Sequence, residues 1–126
     1  MKQIIKTDKA PLPIGPYNQA VVFNGMVFVS GQIAINPING SLVLENIEEE
    51  TKQVLDNVKA VLEAANSNLQ KVLKVTVFVK DINLFSRINA VYAGYFEEAT
   101  APARELVQVS ELPRFVNIEI SVIAAV

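Results

Sequence analysis

The sequence predicts an α+β fold, with two helices laid on one face of a mixed β-sheet, and three local patterns carry that expectation. An Asn24-Gly25 pair sits between two β-rich runs, two stretches place apolar residues at helical spacing, and the chain closes on a run of period two. At 126 residues the chain suits a single domain over residues 1–126, whose one core takes about two thirds of the unfolded surface out of water.

Taken in order, the chain opens on a short apolar pair, Ile4-Ile5, and then enters a stretch from Asp8 to Pro16 that holds Pro11, Pro13, Gly15 and Pro16. These residues block regular pairing and predict an ordered, extended loop, the kind of segment that often carries a site. Ala20 to Phe23 and Met26 to Ser30 follow as a hairpin, because Asn-Gly supplies the two positive φ angles of a type I′ turn. Both strands are apolar on consecutive residues, which predicts helices against one face and another surface, such as a neighbouring subunit, against the other. Asn36 to Ser41 reads as a turn that leads to a short strand around Leu42 to Leu44.

A helix is expected after Asn46, an N-cap with Glu49 three residues on and Glu48, Glu49 and Glu50 at the positive end of the dipole. Ile47, Val54, Leu55, Val58, Val61, Leu62 and Ala65 form its apolar stripe, with Lys52, Asp56, Lys59 and Glu63 opposite. Val72 to Val79 is rich in β-branched residues and reads as a central strand. A second helix, roughly Leu84 to Ala99, turns Phe85, Ile88, Tyr92, Tyr95 and Phe96 inward, and Thr100 to Pro102 ends it. Arg104 to Val109 is a strand, Glu111 to Arg114 a turn, and Phe115 to Ile123 a closing strand. There Val116, Ile118, Ile120 and Val122 face one way, and Asn117, Glu119 and Ser121 the other.

Composition removes whole classes of chemistry. With no Cys and no His, the chain has no disulfide, thiolate nucleophile, ordinary zinc site or imidazole base. Eleven Lys+Arg against thirteen Asp+Glu give a net charge of -2, and the cations are scattered, so nucleic acid is not an expected partner. No apolar run reaches the roughly 18 residues that span a bilayer, and the N-terminal segment lacks the long apolar core of a secretory signal, so a cytoplasmic, non-membrane protein is expected. Hydrophobic residues make up 51% of the chain, with a mean hydropathy of +0.31, more apolar surface than one small domain readily hides; self-association is therefore expected.

Neither G-x-S-x-G, G-x-G-x-x-G nor a P-loop occurs, and no His is present to activate Ser30. A smaller set of residues remains. Arg104, one of three arginines, follows Pro102-Ala103 and could clamp a carboxylate or phosphate, or could pair with one of the many glutamates. Glu119 in mid-strand could position or deprotonate a water, or could be an ordinary exposed carboxylate. Tyr17, beside Gly15-Pro16, could donate to a ligand or anchor its loop, and Asn89 is a polar residue flanking the helical stripe.

These residues lie in segments that resemble the reactive intermediate deaminase (Rid, or YjgF-type) family. The segments are Ala10-Pro11, Ile14-Gly15-Pro16-Tyr17-Asn18-Gln19-Ala20, Val29-Ser30-Gly31-Gln32-Ile33, Val75 to Asp81, Ile88 to Tyr92, Pro102-Ala103-Arg104 and Ile118-Glu119-Ile120, in the family's order and spacing over essentially the whole chain. The resemblance implies a chorismate-mutase-like fold assembled as a homotrimer around a central barrel, with sites in clefts between subunits. It implies hydrolysis of 2-imino acids and enamines, such as 2-iminobutanoate and 2-iminopropanoate, to 2-keto acids and ammonia, without a cofactor or metal. Such intermediates are released by pyridoxal-phosphate enzymes and damage other such enzymes if left alone. By position Arg104 matches the carboxylate-binding arginine, Glu119 the residue that orients water, and Tyr17 a pocket hydroxyl, while Ser30, Gly31 and Asn89 match further pocket positions. Two departures stand out: Glu105-Leu106 replaces the usual small pair after the arginine, with Leu106 expected on the Arg104 face, and Ser121 replaces a frequent second glutamate.

Overall fold

The computed structural model describes residues 1–126 and contains a six-stranded mixed sheet with two helices on one face. The strands are β1 (Gln3–Ile5), β2 (Ala20–Phe23), β3 (Met26–Gln32), β4 (Val72–Val79), β5 (Ala103–Gln108) and β6 (Ile118–Ala125). The helices are α1 (Ile47–Ala64) and α2 (Phe85–Tyr92). Across the sheet the order is β1-β2-β3-β6-β4-β5, antiparallel throughout except for the parallel pair β4 and β5, which α2 connects.

The β2–β3 hairpin turns where its sequence demands, with φ of 50° at Asn24 and 73° at Gly25. Asn46 caps α1 by accepting a 2.8 Å hydrogen bond from the Glu49 N–H. The stripe of α1 is buried against the sheet from Ile47 to Ala65, where it meets Val27, Val29, Val75, Val77, Ile118, Ile120 and Val122 in one core.

Several boundaries differ from the sequence expectation. The third strand before α1 is the N-terminal Gln3–Ile5, not Leu42 to Leu44, of which only Leu42 makes an isolated bridge, to Ile35. Three residues are too few to show a period, so that strand becomes visible only through its partner β2. Helix α2 stops at Tyr92 instead of Ala99, because the Ala93-Gly94 step favours unwinding and the Tyr95 and Phe96 N–H groups both turn back to the Tyr92 carbonyl. Phe96 remains buried, its ring centroid 4.7 Å from that of Tyr92. Phe85, expected inside, is 41% exposed. The last strand begins at Ile118 rather than Phe115, since Arg114 and Phe115 adopt φ of 55° and 59°, which no strand accommodates.

The sheet face away from the helices carries Ile4, Phe23, Phe28, Leu73 and Val107, all exposed. Between them lies a polar group in which Lys74 pairs with Glu105 at 3.2 Å and the Thr76 hydroxyl donates to Glu105 at 3.0 Å. Glu105 therefore points away from the Arg104 face, as strand alternation requires. No helix is long and apolar enough to cross a membrane.

Candidate functional site

Register divides the sequence-predicted site residues into two clusters. Arg104 lies opposite Val75 and Leu106 opposite Val77, both core residues, so Arg104 and Leu106 belong to the helix-covered face at the edge of the sheet. Glu119 lies opposite Phe78 on the other face. Within one chain the arginine and the glutamate are thus on opposite sides of the same sheet.

The Arg104 cluster is assembled from regular elements. The guanidinium Nη1 donates to the Asn89 side-chain oxygen at 2.7 Å, and its carbon lies 4.6 Å from the Tyr92 ring centroid and 5.8 Å from that of Phe85. Stacking of this kind contributes roughly 0.5–2 kcal/mol and leaves most N–H donors free. Asn89 and Tyr92 are three apart on α2, hence on one face of the helix, which explains how a short helix meets the arginine with both. They line, with Phe96, Pro102 and Arg104, an open concavity of about 370 Å³. Arg104 forms no ion pair, which removes the alternative of a glutamate partner. Arg87 does take that ordinary role, holding Glu48 through two bonds of 2.7 Å each.

The Glu119 cluster is assembled from irregular elements. Between Val29 and Gln32 the β3 strand carries one residue more than its β6 partner, a bulge centred on Ser30-Gly31. Gly31 lies under Glu119: a Cβ at this position would meet the carboxylate, 2.8 Å from its Cδ. Burial pushes the Glu119 carboxyl above its ordinary range, and no neighbouring cation offsets it. Glu119, Gly31 and Tyr17 line a cavity of about 100 Å³, together with Leu12, Ile14 and Arg114. Ser30 is adjacent, but its hydroxyl donates to the Asn18 carbonyl at 2.6 Å and so ties the loop to the sheet.

Sequence reasoning overlooked four residues that hold these clusters. Gln19 is buried and clamps the proline-rich loop: its side-chain oxygen accepts from the Thr7 N–H at 2.8 Å, and its nitrogen faces the Thr7, Ala10 and Pro11 carbonyls at 2.9, 3.2 and 2.8 Å. Glu50, fully buried in α1, accepts 2.8 Å bonds from the Asn117 N–H and side-chain amide, two residues before Glu119. Phe85 and Arg114 reach the sites from positions assigned to a helix interior and a turn. A glutamate set among the apolar residues of α1 was the one local signal available for Glu50. A larger concavity, about 440 Å³, lies between Leu69-Gln70 and the segment Ala93 to Glu97; it shares Ala93 and Phe96 with the wall of the Arg104 concavity but reaches none of Arg104, Asn89 and Glu119.

Known proteins resemble this chain over nearly its whole length. The family model described as endoribonuclease L-PSP matches residues 7–126. A RutC family protein of Pyrococcus horikoshii is 52% identical over 124 residues, 98% of each chain. The 2-iminobutanoate/2-iminopropanoate deaminase of Salmonella typhimurium is 47% identical over 126 residues, again 98% of each chain. Among solved structures, a Rid family protein of Yersinia pestis superposes with a TM-score of 0.97 at 48% identity, covering 100% of both chains. On the strength of a model covering nearly the whole chain and of relatives at this identity, the chain belongs to the YjgF/Rid family.

Proposed function

We propose that this protein hydrolyses 2-imino acids and their enamine tautomers to 2-keto acids and ammonia, in a homotrimer where the Arg104 cluster of one chain meets the Glu119 cluster of the next. The observation that carries this reading is the separation of the two clusters. Each holds half of what the reaction needs, and they are on opposite faces of one sheet, so only a second copy can bring them together. The exposed apolar face, with Phe23, Phe28 and Leu73, supports burial against other copies. The name of the Salmonella relative supports the reaction.

In this reading the Arg104 fork binds the substrate carboxylate and so orients the C=N bond. Glu119, as the carboxylate, accepts a hydrogen bond from a water and aims its oxygen at the imine carbon. Attack forms the C–O bond as the C=N π pair moves to nitrogen and takes up one water proton, giving a carbinolamine. The second proton then passes from the hydroxyl to nitrogen, the O–H pair forms the C=O bond, the C–N bond breaks, and ammonia and the keto acid leave. Tyr17 lines the pocket, Gly31 makes room for Glu119 and Asn89 holds the arginine, while Ser30, tied to the Asn18 carbonyl beside Gly31, and Leu106, on the Arg104 face of β5, complete the substrate-binding set in this reading. Orientation and charge stabilisation are sufficient for an activated C=N carbon, so the reaction needs neither His nor Cys.

The test measures ammonia and keto acid from an imine generated in situ from threonine by a dehydratase, with no protein, wild type and Arg104→Lys. The wild type should accelerate release, and the variant should lose about ten- to a hundredfold, the value of about 1.5–3 kcal/mol for the bidentate charged contact. Light scattering should give three times the 13.8 kDa chain mass, and a monomer would remove the shared site. If keto acids bind and imines are not hydrolysed, the protein is instead a carboxylate-binding trimer. Ribonuclease activity, suggested by the description of the family model, has little support in a chain of net charge -2 without histidine. RNA retention at moderate salt would revive it.

A further inference from the structure

We propose that Tyr92 and Asn89 together form a neutral cradle that positions Arg104 for carboxylate binding without compensating its charge, which makes Tyr92 a positioning residue of the site. The inference rests on the functional reading above and adds a reason why the arginine is available to a substrate.

The argument begins with the three arginines of the chain. Arg87 is held by a carboxylate through two hydrogen bonds and carries no free charge to offer a ligand. Arg114 lines the Glu119 cavity and takes part in no ion pair. Arg104 is held by neutral groups only: the Asn89 side-chain oxygen at 2.7 Å, the Tyr92 ring face at 4.6 Å and, farther off, the Phe85 ring at 5.8 Å. Glu98, the one carboxylate on the wall of the same concavity, is outside ion-pair distance. A carboxylate partner would hold the side chain as firmly and would occupy the fork that a substrate needs. A neutral cradle restricts the rotamer while the full positive charge stays available, the condition for preorganised electrostatic binding.

Tyr92 is suited to this part because it is itself immobile. The residue is 7% exposed, stacks on Phe96 at 4.7 Å between centroids, and belongs to the core cluster, so the ring is a fixed wall instead of a mobile partner. Its hydroxyl is buried without a hydrogen-bond partner, a cost that a phenylalanine would avoid. Burial pushes its ionisation up, and the phenol stays neutral.

The experiment titrates the full-length protein with 2-oxobutanoate by calorimetry and records imine hydrolysis and Tm for the same samples: wild type, Arg104→Lys, Tyr92→Leu, Tyr92→Phe and Asn89→Asp. Tyr92→Leu should weaken 2-oxobutanoate binding by about fivefold or more and raise KM more than it lowers kcat. Tyr92→Phe, which keeps the ring face, should restore affinity to within about threefold of wild type. Asn89→Asp adds a counter-charge at nearly unchanged shape, and should weaken binding by at least about tenfold while Tm holds or rises. That opposition separates the cradle from a merely structural role, under which the new ion pair would be neutral or beneficial for binding too. Wild-type affinity in Asn89→Asp, or in a folded Tyr92→Leu, overturns the inference even where Arg104→Lys loses binding and the functional reading stands. A fall in Tyr92→Phe as large as in Tyr92→Leu overturns the assignment to the ring. No 2-oxobutanoate binding by the wild type overturns the carboxylate reading and this inference together.

Discussion

The Arg104 and Glu119 clusters solve the same problem, holding a charged group at a surface, with opposite means. Arg104 stands on a strand in register with the core and is met by a regular helix, so its position follows from ladder and helix geometry. Glu119 stands on a regular strand too, but its surroundings are a bulge, two left-handed residues and a proline-rich loop tied down by Gln19. The difference predicts different vulnerabilities. The first cluster should be sensitive to side-chain chemistry and tolerant of backbone changes, and the second should be the reverse.

The largest expected effect attacks the backbone side of that contrast. Gly31→Val places a branched side chain where Glu119 lies, and if Glu119 orients the water as proposed, its displacement by about 1 Å should lower hydrolysis about a hundredfold. Affinity for 2-oxobutanoate should fall far less, because Arg104 is untouched; equal losses in both would dissolve the distinction between the clusters. Next in size is Glu50→Ala, which deprives the Asn117 N–H and amide of their acceptors just before Glu119. The loss should be about 1–3 kcal/mol in chemical denaturation. Kinetics should show a lower kcat with KM nearly unchanged, and the opposite split would place Glu50 outside the Glu119 cluster.

A pH profile sharpens the comparison further. Burial raises the Glu119 carboxyl, so the ionised form is a burden on the native state: its contribution to stability is complete below the usual carboxylate range and is lost as pH rises through the raised value. In the proposed reaction activity runs the other way, since the water is oriented by the carboxylate form. On acidification hydrolysis should therefore fall at a higher pH than an ordinary glutamate would give, and Glu119→Gln should remove that limb. An acid limb in the ordinary carboxylate range in the wild type would contradict the desolvated environment.

The smallest effect belongs to Arg87, the arginine with a counter-charge. Hydrogen bonds from Arg87 hold the Glu48 carboxyl down to about 2, so its contribution is present above the usual 4.5 and lost as pH falls through about 2. The pair is exposed and salt weakens it. Arg87→Ala should leave 2-oxobutanoate binding unchanged and make acid unfolding begin at a slightly higher pH at low ionic strength. A loss of binding would show that a compensated arginine also serves the site.

Sequence alone determined most of the secondary structure and the residue types of the site. Asn24-Gly25 compels its turn, the Asn46 cap and the 3.6 spacing define α1, and alternation places Glu119 apart from Ile118 and Ile120, because these are local consequences of sterics and period. Family resemblance directed attention to Arg104, Glu119 and Tyr17, but it could not say which of them meet within one chain. Tertiary structure decided that. The strand Gln3–Ile5 exists through pairing with β2, and α2 ends early where Gly94 meets tertiary turns. Gln19 and Glu50 act through partners 8 to 12 and 67 residues away in the chain. Such contacts depend on which strands become neighbours, and the parallel pairing of β4 with β5 beside β6 is what puts Arg104 on one face and Glu119 on the other. Local pattern sets which way a side chain points from its strand, but only the packed sheet decides what waits there.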